Sequence, residues 1–202
     1  MKLYYSPGAC SLSPHIALRE AELPFELVKV DLQAKQTASG GDFMAVNGKG
    51  YVPVLELDDG KNLTEGPVIV QYIADQRPEA GLAPRSGTME RYRLQEWLNF
   101  ITSELHKTFA PLFNPNISAD WRQGLEAHLA RRFDWLGQQL AGKNFLLGER
   151  FSVADGYMFT VVNWAQFVNI DLKKWPIIAQ YRASIGERPK VREAMKAEGL
   201  IK

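Results

Sequence analysis

Only one cysteine, Cys10, occurs among the 202 residues, so no internal disulfide can form and the chain bears no mark of an oxidising compartment. A cytoplasmic location is therefore expected. Charge of one sign is equally scarce: 24 Lys and Arg stand against 23 Asp and Glu, a formal net charge of +1. That leaves no basic surplus to grip nucleic acid or an anionic membrane. Long hydrophobic runs are missing too, since the most apolar stretch, Met158 to Ala165, is interrupted by Thr160 and Asn163 and is shorter than the roughly 20 residues a membrane-spanning helix needs. The first residues, Met1-Lys2-Leu3-Tyr4-Tyr5, meet Ser6-Pro7-Gly8 before any apolar signal segment can form. Paired-cysteine zinc spacing, His-Glu-x-x-His, Gly-x-Ser-x-Gly and a Walker phosphate loop are all absent, so no metal site is expected. Asn47-Gly48-Lys49-Gly50 lacks the spacing and following Ser or Thr of a phosphate loop and reads as a turn. Small neutral or zwitterionic partners fit these exclusions best.

What is present is a chain with enough apolar content, 46%, for one broad core or two small ones. Its first part alternates strand-like and helix-like segments. Leu3-Tyr4-Tyr5 leads through Pro7-Gly8 into a helical stretch from Ser11 to Glu22 that Pro24 stops, and Phe25 to Val30 forms a second strand. Lys35 to Gly50 reads as a loosely helical excursion. Val52 to Leu57 then turns back through Asp58-Asp59-Gly60 into Asn62-Leu63 as a hairpin. A helix follows at Thr64-Glu65-Gly66-Pro67, with Val68, Ile69, Tyr72 and Ile73 as its apolar stripe. Between Arg77 and Gly87 the string Pro78-Glu79-Ala80-Gly81-Leu82-Ala83-Pro84 has the proline and glycine content of a linker, and after it the strand signals cease. Leu94, Trp97, Leu98, Ile101, Leu105 and Phe109 mark one helix, Leu125, Leu129, Phe133, Leu136 and Leu140 a second, and Ser152-Val153-Ala154-Asp155 caps a third that is apolar almost all round through Phe167. The expected organisation is an α/β domain over 1–80, a linker over 81–86 and an all-α domain over 87–202.

Four features could carry chemistry. Cys10 falls between a strand and a helix, where N–H groups and the helix dipole favour a thiolate, although a lone cysteine is as readily a small buried hydrophobe. Ser13 stands where a resolving cysteine would be, so a mixed disulfide with an external thiol remains open and an internal one does not. Val52-Pro53 puts proline inside a strand pattern, which marks either an edge strand or a cis bond that frees the backbone of Val52 for a peptide-like ligand. Glu65 and Gly66 join a carboxylate to exposed N–H groups at a helix start, suited to a ligand's amino and carboxylate groups or simply to capping. Asn99, Ser103 and His106, at i, i+4 and i+7, form a mostly uncharged stripe beside an apolar one, with Glu104 adjacent. His15 and His128 read as structural or exposed.

Taken together, Tyr5-Ser6-Pro7-Gly8-Ala9-Cys10-Ser11-Leu12-Ser13, Gly50-Tyr51-Val52-Pro53-Val54-Leu55, Leu63-Thr64-Glu65-Gly66, Glu96-Trp97-Leu98-Asn99 with Glu104-Leu105-His106, and Ser152-Val153-Ala154-Asp155 resemble the cytosolic glutathione transferases, specifically the bacterial beta class. The resemblance implies a thioredoxin-like first domain, an all-helical second domain carrying the electrophile pocket, and a homodimer. It also implies glutathione as co-substrate, with no permanently bound cofactor. Under it, Cys10 neighbours or covalently holds the glutathione sulfur, Val52 pairs through its backbone with the cysteinyl unit, Glu65 and Gly66 bind the γ-glutamyl end and Lys35 the glycyl end. His106 approaches the sulfur, while Asn99, Ser103 and Glu104 complete the site, partly from a neighbouring subunit. Gly48, where the family commonly has proline, and Pro67 depart from the pattern without removing a ligand group; with Tyr51, which would add an aromatic wall, they bear on substrate preference. The expected activity is conjugation of glutathione to apolar electrophiles, with thiol-disulfide exchange through Cys10. The competing reading is a non-catalytic protein that uses the same fold to bind ligands or partners.

Overall fold

The computed structural model describes residues 1–202. It divides into two compact units, one formed by Met1–Ala83 with Arg188–Lys202 and the other by Pro84–Glu187.

In the first unit the elements run β1 (Lys2–Tyr5), α1 (Leu12–Glu20), β2 (Glu26–Asp31), β3 (Gln36–Thr37), a single-turn α2 (Phe43–Val46), β4 (Val54–Glu56), β5 (Asn62–Thr64) and α3 (Gly66–Gln76). The sheet order is β3-β2-β1-β4-β5. β1 lies parallel to β2 and antiparallel to β4, while β4–β5 and β2–β3 are antiparallel pairs. This is the thioredoxin-like arrangement. Side chains alternate across the strands, so Tyr4 shares a face with its register partners Val28 and Val54 and joins Val30, Val52 and Phe43 in one buried cluster. Leu3 and its partner Leu55, both fully buried, face the other way, where α1 and α3 pack. The hairpin turn forms at Gly60, whose φ of 80° suits a residue without Cβ.

Two local expectations differ. The excursion after Lys35 contains the two-residue strand β3, too short to leave a periodic signal. On α3, Val68 is 48% exposed while Val70 is buried, because the helix starts at Gly66 and turns Val70, with Ile69, Ile73 and Ala74, to the core.

The second unit comprises α4 (Met89–Phe100), one π-helical segment (Ile101–His106), a short α5 (Lys107–Phe109), α6 (Ala119–Leu140), α7 (Val153–Val162) and α8 (Pro176–Gly186). Every residue of α7 is buried, as its all-round apolar composition requires. Its start is pinned by Asp155, whose carboxylate accepts from Ser152 N and Ser152 Oγ at 2.8 Å each, from Leu146 N at 2.8 Å and from Tyr181 O–H at 2.7 Å. Burial raises the Asp155 pKa and these hydrogen bonds oppose it.

The chain's last helix, α9 (Pro189–Ala197), packs on α1. Residues 188–202 thus group with the first unit, whereas the sequence places them with the helices of 87–202. The cause is specific: Val191 and Ala194 are buried, and the following Glu198 reaches the buried His15 of α1.

Candidate functional site

In the first unit the loop between β1 and α1 carries Cys10, which is half-buried. The Ser11 hydroxyl staples this loop by accepting from Ser6 N and donating to Ser6 O, both at 3.2 Å. Gly8 N donates to Glu198 Oε2 at 2.9 Å. Gly8 has a φ of 72°, a backbone conformation that suits a residue without Cβ. Glu198 Oε1 is 2.9 Å from Nδ1 of the fully buried His15, while Arg19 Nε donates to His15 Nε2 at 3.0 Å. Arginine only donates, so Nε2 accepts and Nδ1 carries the hydrogen given to Glu198. His15 is thus structural, as the sequence suggests. Glu198, a carboxylate 190 positions from Gly8, is a positioning group that no local pattern announces.

The Cys10 thiol donates to Val52 O at 3.2 Å. Its position follows the expected strand-turn-helix order, but the observed partner is a carbonyl of another segment. Val52 is buried and its peptide bond to Pro53 is cis. The segment before Val52 is anchored by Asn47, whose Nδ2 donates to Tyr51 O at 2.7 Å, and by Lys35, whose Nζ donates to Gly50 O at 2.7 Å. At the start of α3, Glu65 sits at φ 68°. Its Oε1 accepts from Lys49 Nζ at 2.5 Å and from Tyr51 O–H at 2.9 Å, and Lys49 also reaches Thr64 Oγ1 at 2.9 Å. The hydrogen bond to Glu65 is the main cause that raises the pKa of both Lys49 and Tyr51. Gly66 begins α3 beside Pro53, with room for an added Cβ at 3.8 Å. Cys10, Val52, Lys35, Glu65 and Gly66 therefore all belong to this unit, and the structure adds Lys49 and Tyr51 to them.

In the second unit the expected single stripe of Asn99, Ser103 and His106 is broken. The i→i+5 bonding of the π segment widens the turn, displacing His106 around the axis from Ser103. Asn99 and Ser103 are exposed, whereas His106 is mostly buried against Tyr157 and Trp164. Glu104 turns to α6, where Oε2 accepts from Arg132 Nε at 2.6 Å and lies 3.3 Å from His128 Nε2; Ser103 Oγ reaches Oε1 only at 3.5 Å. His106 Nδ1 is 2.7 Å from the Tyr157 hydroxyl, and its ring stands 4.9 Å from that of Trp164. Burial, reinforced by the Lys107 charge, lowers its pKa from 6.5 to about 4, so the imidazole is neutral at neutral pH. Phe109 and Phe113 complete an aromatic wall around Trp164, with centroids at 6.2 and 5.8 Å. Tyr157, Trp164 and Phe113 were not legible as site residues, because apolar spacing alone reads them as core or surface.

Residues 8–76 match the family model for the N-terminal domain of glutathione S-transferases and residues 119–196 match the C-terminal one. Over 99% of this chain and 100% of its relative, the sequence is 45% identical to the glutathione S-transferase GstA of Escherichia coli O157:H7. This chain belongs to the beta class of glutathione S-transferases. A bacterial glutathione transferase, BphK, solved as a ternary complex, superposes with a TM-score of 0.97 at 58% identity, covering 98% of this chain and 100% of BphK. A beta-class glutathione S-transferase of Sphingomonas chungbukensis has a TM-score of 0.96 at 48% identity with 100% of both chains covered. As a member of the class, the protein is an enzyme that conjugates glutathione, and the non-catalytic reading is not favoured. No helix of this transferase is long and apolar enough to cross a membrane.

Proposed function

We propose that glutathione is held with its sulfur beside Cys10, its cysteinyl backbone paired with Val52, its γ-glutamyl end on Glu65 and Gly66, and its glycyl carboxylate near Lys35. Asn99, Ser103 and Glu104 complete its binding, partly from the second subunit of a homodimer, and His106 approaches the sulfur. The observation that carries this reading is the Glu65 carboxylate, which already accepts an ammonium, that of Lys49, at 2.5 Å. A γ-glutamyl ammonium is the same chemical group in the same role. The contact between the Cys10 thiol and Val52 O supports the rest, since it brings a sulfur to the segment assigned to the cysteinyl unit.

The second substrate is a small apolar electrophile, for which the exposed Phe113, packed edge-on against Trp164, supplies contact surface. Conjugation is the principal activity and disulfide exchange through Cys10 a second one, both with glutathione as the co-substrate and no resident cofactor. Cytoplasmic residence accords with the single cysteine.

Retention on immobilised glutathione tests the binding assignment, with Glu65→Gln expected to lose retention and wild type to keep it. Mass analysis after exposure to oxidised glutathione tests Cys10: a glutathione adduct on wild type and none on Cys10→Ala is expected. The same adduct on Cys10→Ala would refute the covalent role while leaving conjugation in place.

A further inference from the structure

A γ-glutamyl end carries an ammonium and a carboxylate on one carbon, and Glu65 can meet only the ammonium. The start of α3 has little to offer the carboxylate. Pro67 has no N–H, and the N–H groups of Val68 and Ile69 both donate to Glu65 O at 3.0 Å, so at most the Gly66 N–H remains in this turn for an anion. A cation is already in place. Lys49 Nζ donates to Glu65 Oε1 at 2.5 Å and to Thr64 Oγ1 at 2.9 Å, using two of its three N–H groups. Tyr51 flanks it, with the ring centroid 5.7 Å from Nζ and the hydroxyl donating to the same Oε1 at 2.9 Å. The Lys49 and Glu65 side chains are 45% and 53% exposed, so water screens the pair and little stability is lost when it is exchanged for another. Glu65 itself sits at φ 68°, a region that residues with a Cβ rarely enter and that is retained where a side chain must be aimed.

We propose that Lys49 is a specificity-determining residue that binds the α-carboxylate of the γ-glutamyl group through an exchange of ion pairs. The ligand's ammonium takes the place of Lys49 on Glu65, and the released Lys49 pairs with the carboxylate on the same carbon. The proposal rests on the reading of the γ-glutamyl end at Glu65. One ion pair becomes two, and no charge is left without a partner. The flexible four-carbon stem of lysine permits the turn, and the Tyr51 hydroxyl remains on Glu65 Oε1 to hold the carboxylate while Lys49 moves. A ligand with the ammonium but no carboxylate would displace Lys49 and give it nothing in return. A ligand with the carboxylate alone would draw Lys49 away and leave Glu65 without a cation. Both penalties fall on the wrong ligand, which is how an affinity difference becomes selectivity for an α-amino-acid terminus.

The test compares calorimetric Kd values for glutathione and for 4-aminobutyryl-cysteinylglycine, which lacks only the α-carboxylate of the γ-glutamyl group. Wild type should bind glutathione roughly tenfold more tightly than the analogue, the size expected of a partly exposed charge-assisted hydrogen bond. Lys49→Met, which keeps the length of the side chain and removes its charge, should weaken glutathione by about the same factor and leave the analogue within about twofold of wild type. Lys49→Arg should restore most of the preference. Unchanged glutathione affinity in Lys49→Met, or a parallel loss for both ligands, overturns the proposal while leaving the γ-glutamyl end on Glu65. Wild-type glutathione affinity in Glu65→Gln would instead remove that reading, and the proposal with it.

Discussion

Each unit of the molecule is organised around one buried carboxylate, and the two reach their partners differently. Asp155 in the helical unit collects donors mostly from its own neighbourhood, Ser152 three residues before it and Leu146 nine before it, with Tyr181 joining from α8. Glu198 in the first unit has no such neighbours: its hydrogen bonds run to His15 and Gly8, 183 and 190 positions away. Each anchors an element that carries a candidate reactive group or its partner. Asp155 pins the helix that carries Tyr157, the partner of His106, whereas Glu198 ties down the loop that carries Cys10. The contrast shows that a folding signal and a positioning device use the same chemistry, a buried carboxylate surrounded by donors. Only the chain distance between the partners separates them.

The comparison breaks most visibly at Asp155. Asp155→Ala strands buried donors from three residues and removes the anchor of α7, so a loss of about 3–5 kcal/mol in unfolding free energy is expected from urea titration. Glu198→Ala removes the carboxylate that accepts from His15 Nδ1–H and Gly8 N, at a cost of about 2–4 kcal/mol, and should also slow adduct formation at Cys10 because the loop loses this tie. Equal kinetics at Cys10 in that variant would show that Ser11 alone positions the loop. The smallest effect sharpens the difference between the units through pH. Because the folded His106 titrates near 4 rather than 6.5, the unfolded chain binds a proton between those values that the folded chain does not. Stability then falls as pH drops from about 6.5 to about 4, by roughly 3 kcal/mol at most. His106→Phe should flatten that part of the profile, read as urea midpoints at pH 7, 5.5 and 4.5.

Much of the fold was legible because its signals are local. Strand alternation around Tyr4, the hairpin at Asp58-Asp59-Gly60, proline in the first turn of α3 and the Ser152–Asp155 cap each depend on residues a few positions apart. The candidate site was legible only as residue types. Cys10, Glu65 and His106 stand out in the sequence, yet the contacts that condition them come from elsewhere: Val52 O for Cys10, Lys49 and Tyr51 for Glu65, Tyr157 and Trp164 for His106. The polar stripe of Asn99, Ser103 and His106 failed because it assumed an α-helical turn throughout. Nothing in Ile101–His106 announces π-helical bonding.

By itself, the sequence determined the single thiol, the balanced charge, the order of the main strands and helices through α7, and the starts of α1, α3 and α7, all set by composition and short-range backbone preferences. The tertiary structure alone decided that α9 returns to α1, that Glu198 holds Gly8, that Glu104 is taken up by Arg132, and that His106 is buried into its neutral form. The physical reason is distance along the chain. Desolvation and hydrogen bonding act on whatever folding brings together, and partners separated by 28 to 190 positions leave no mark in any window short enough to read as a pattern.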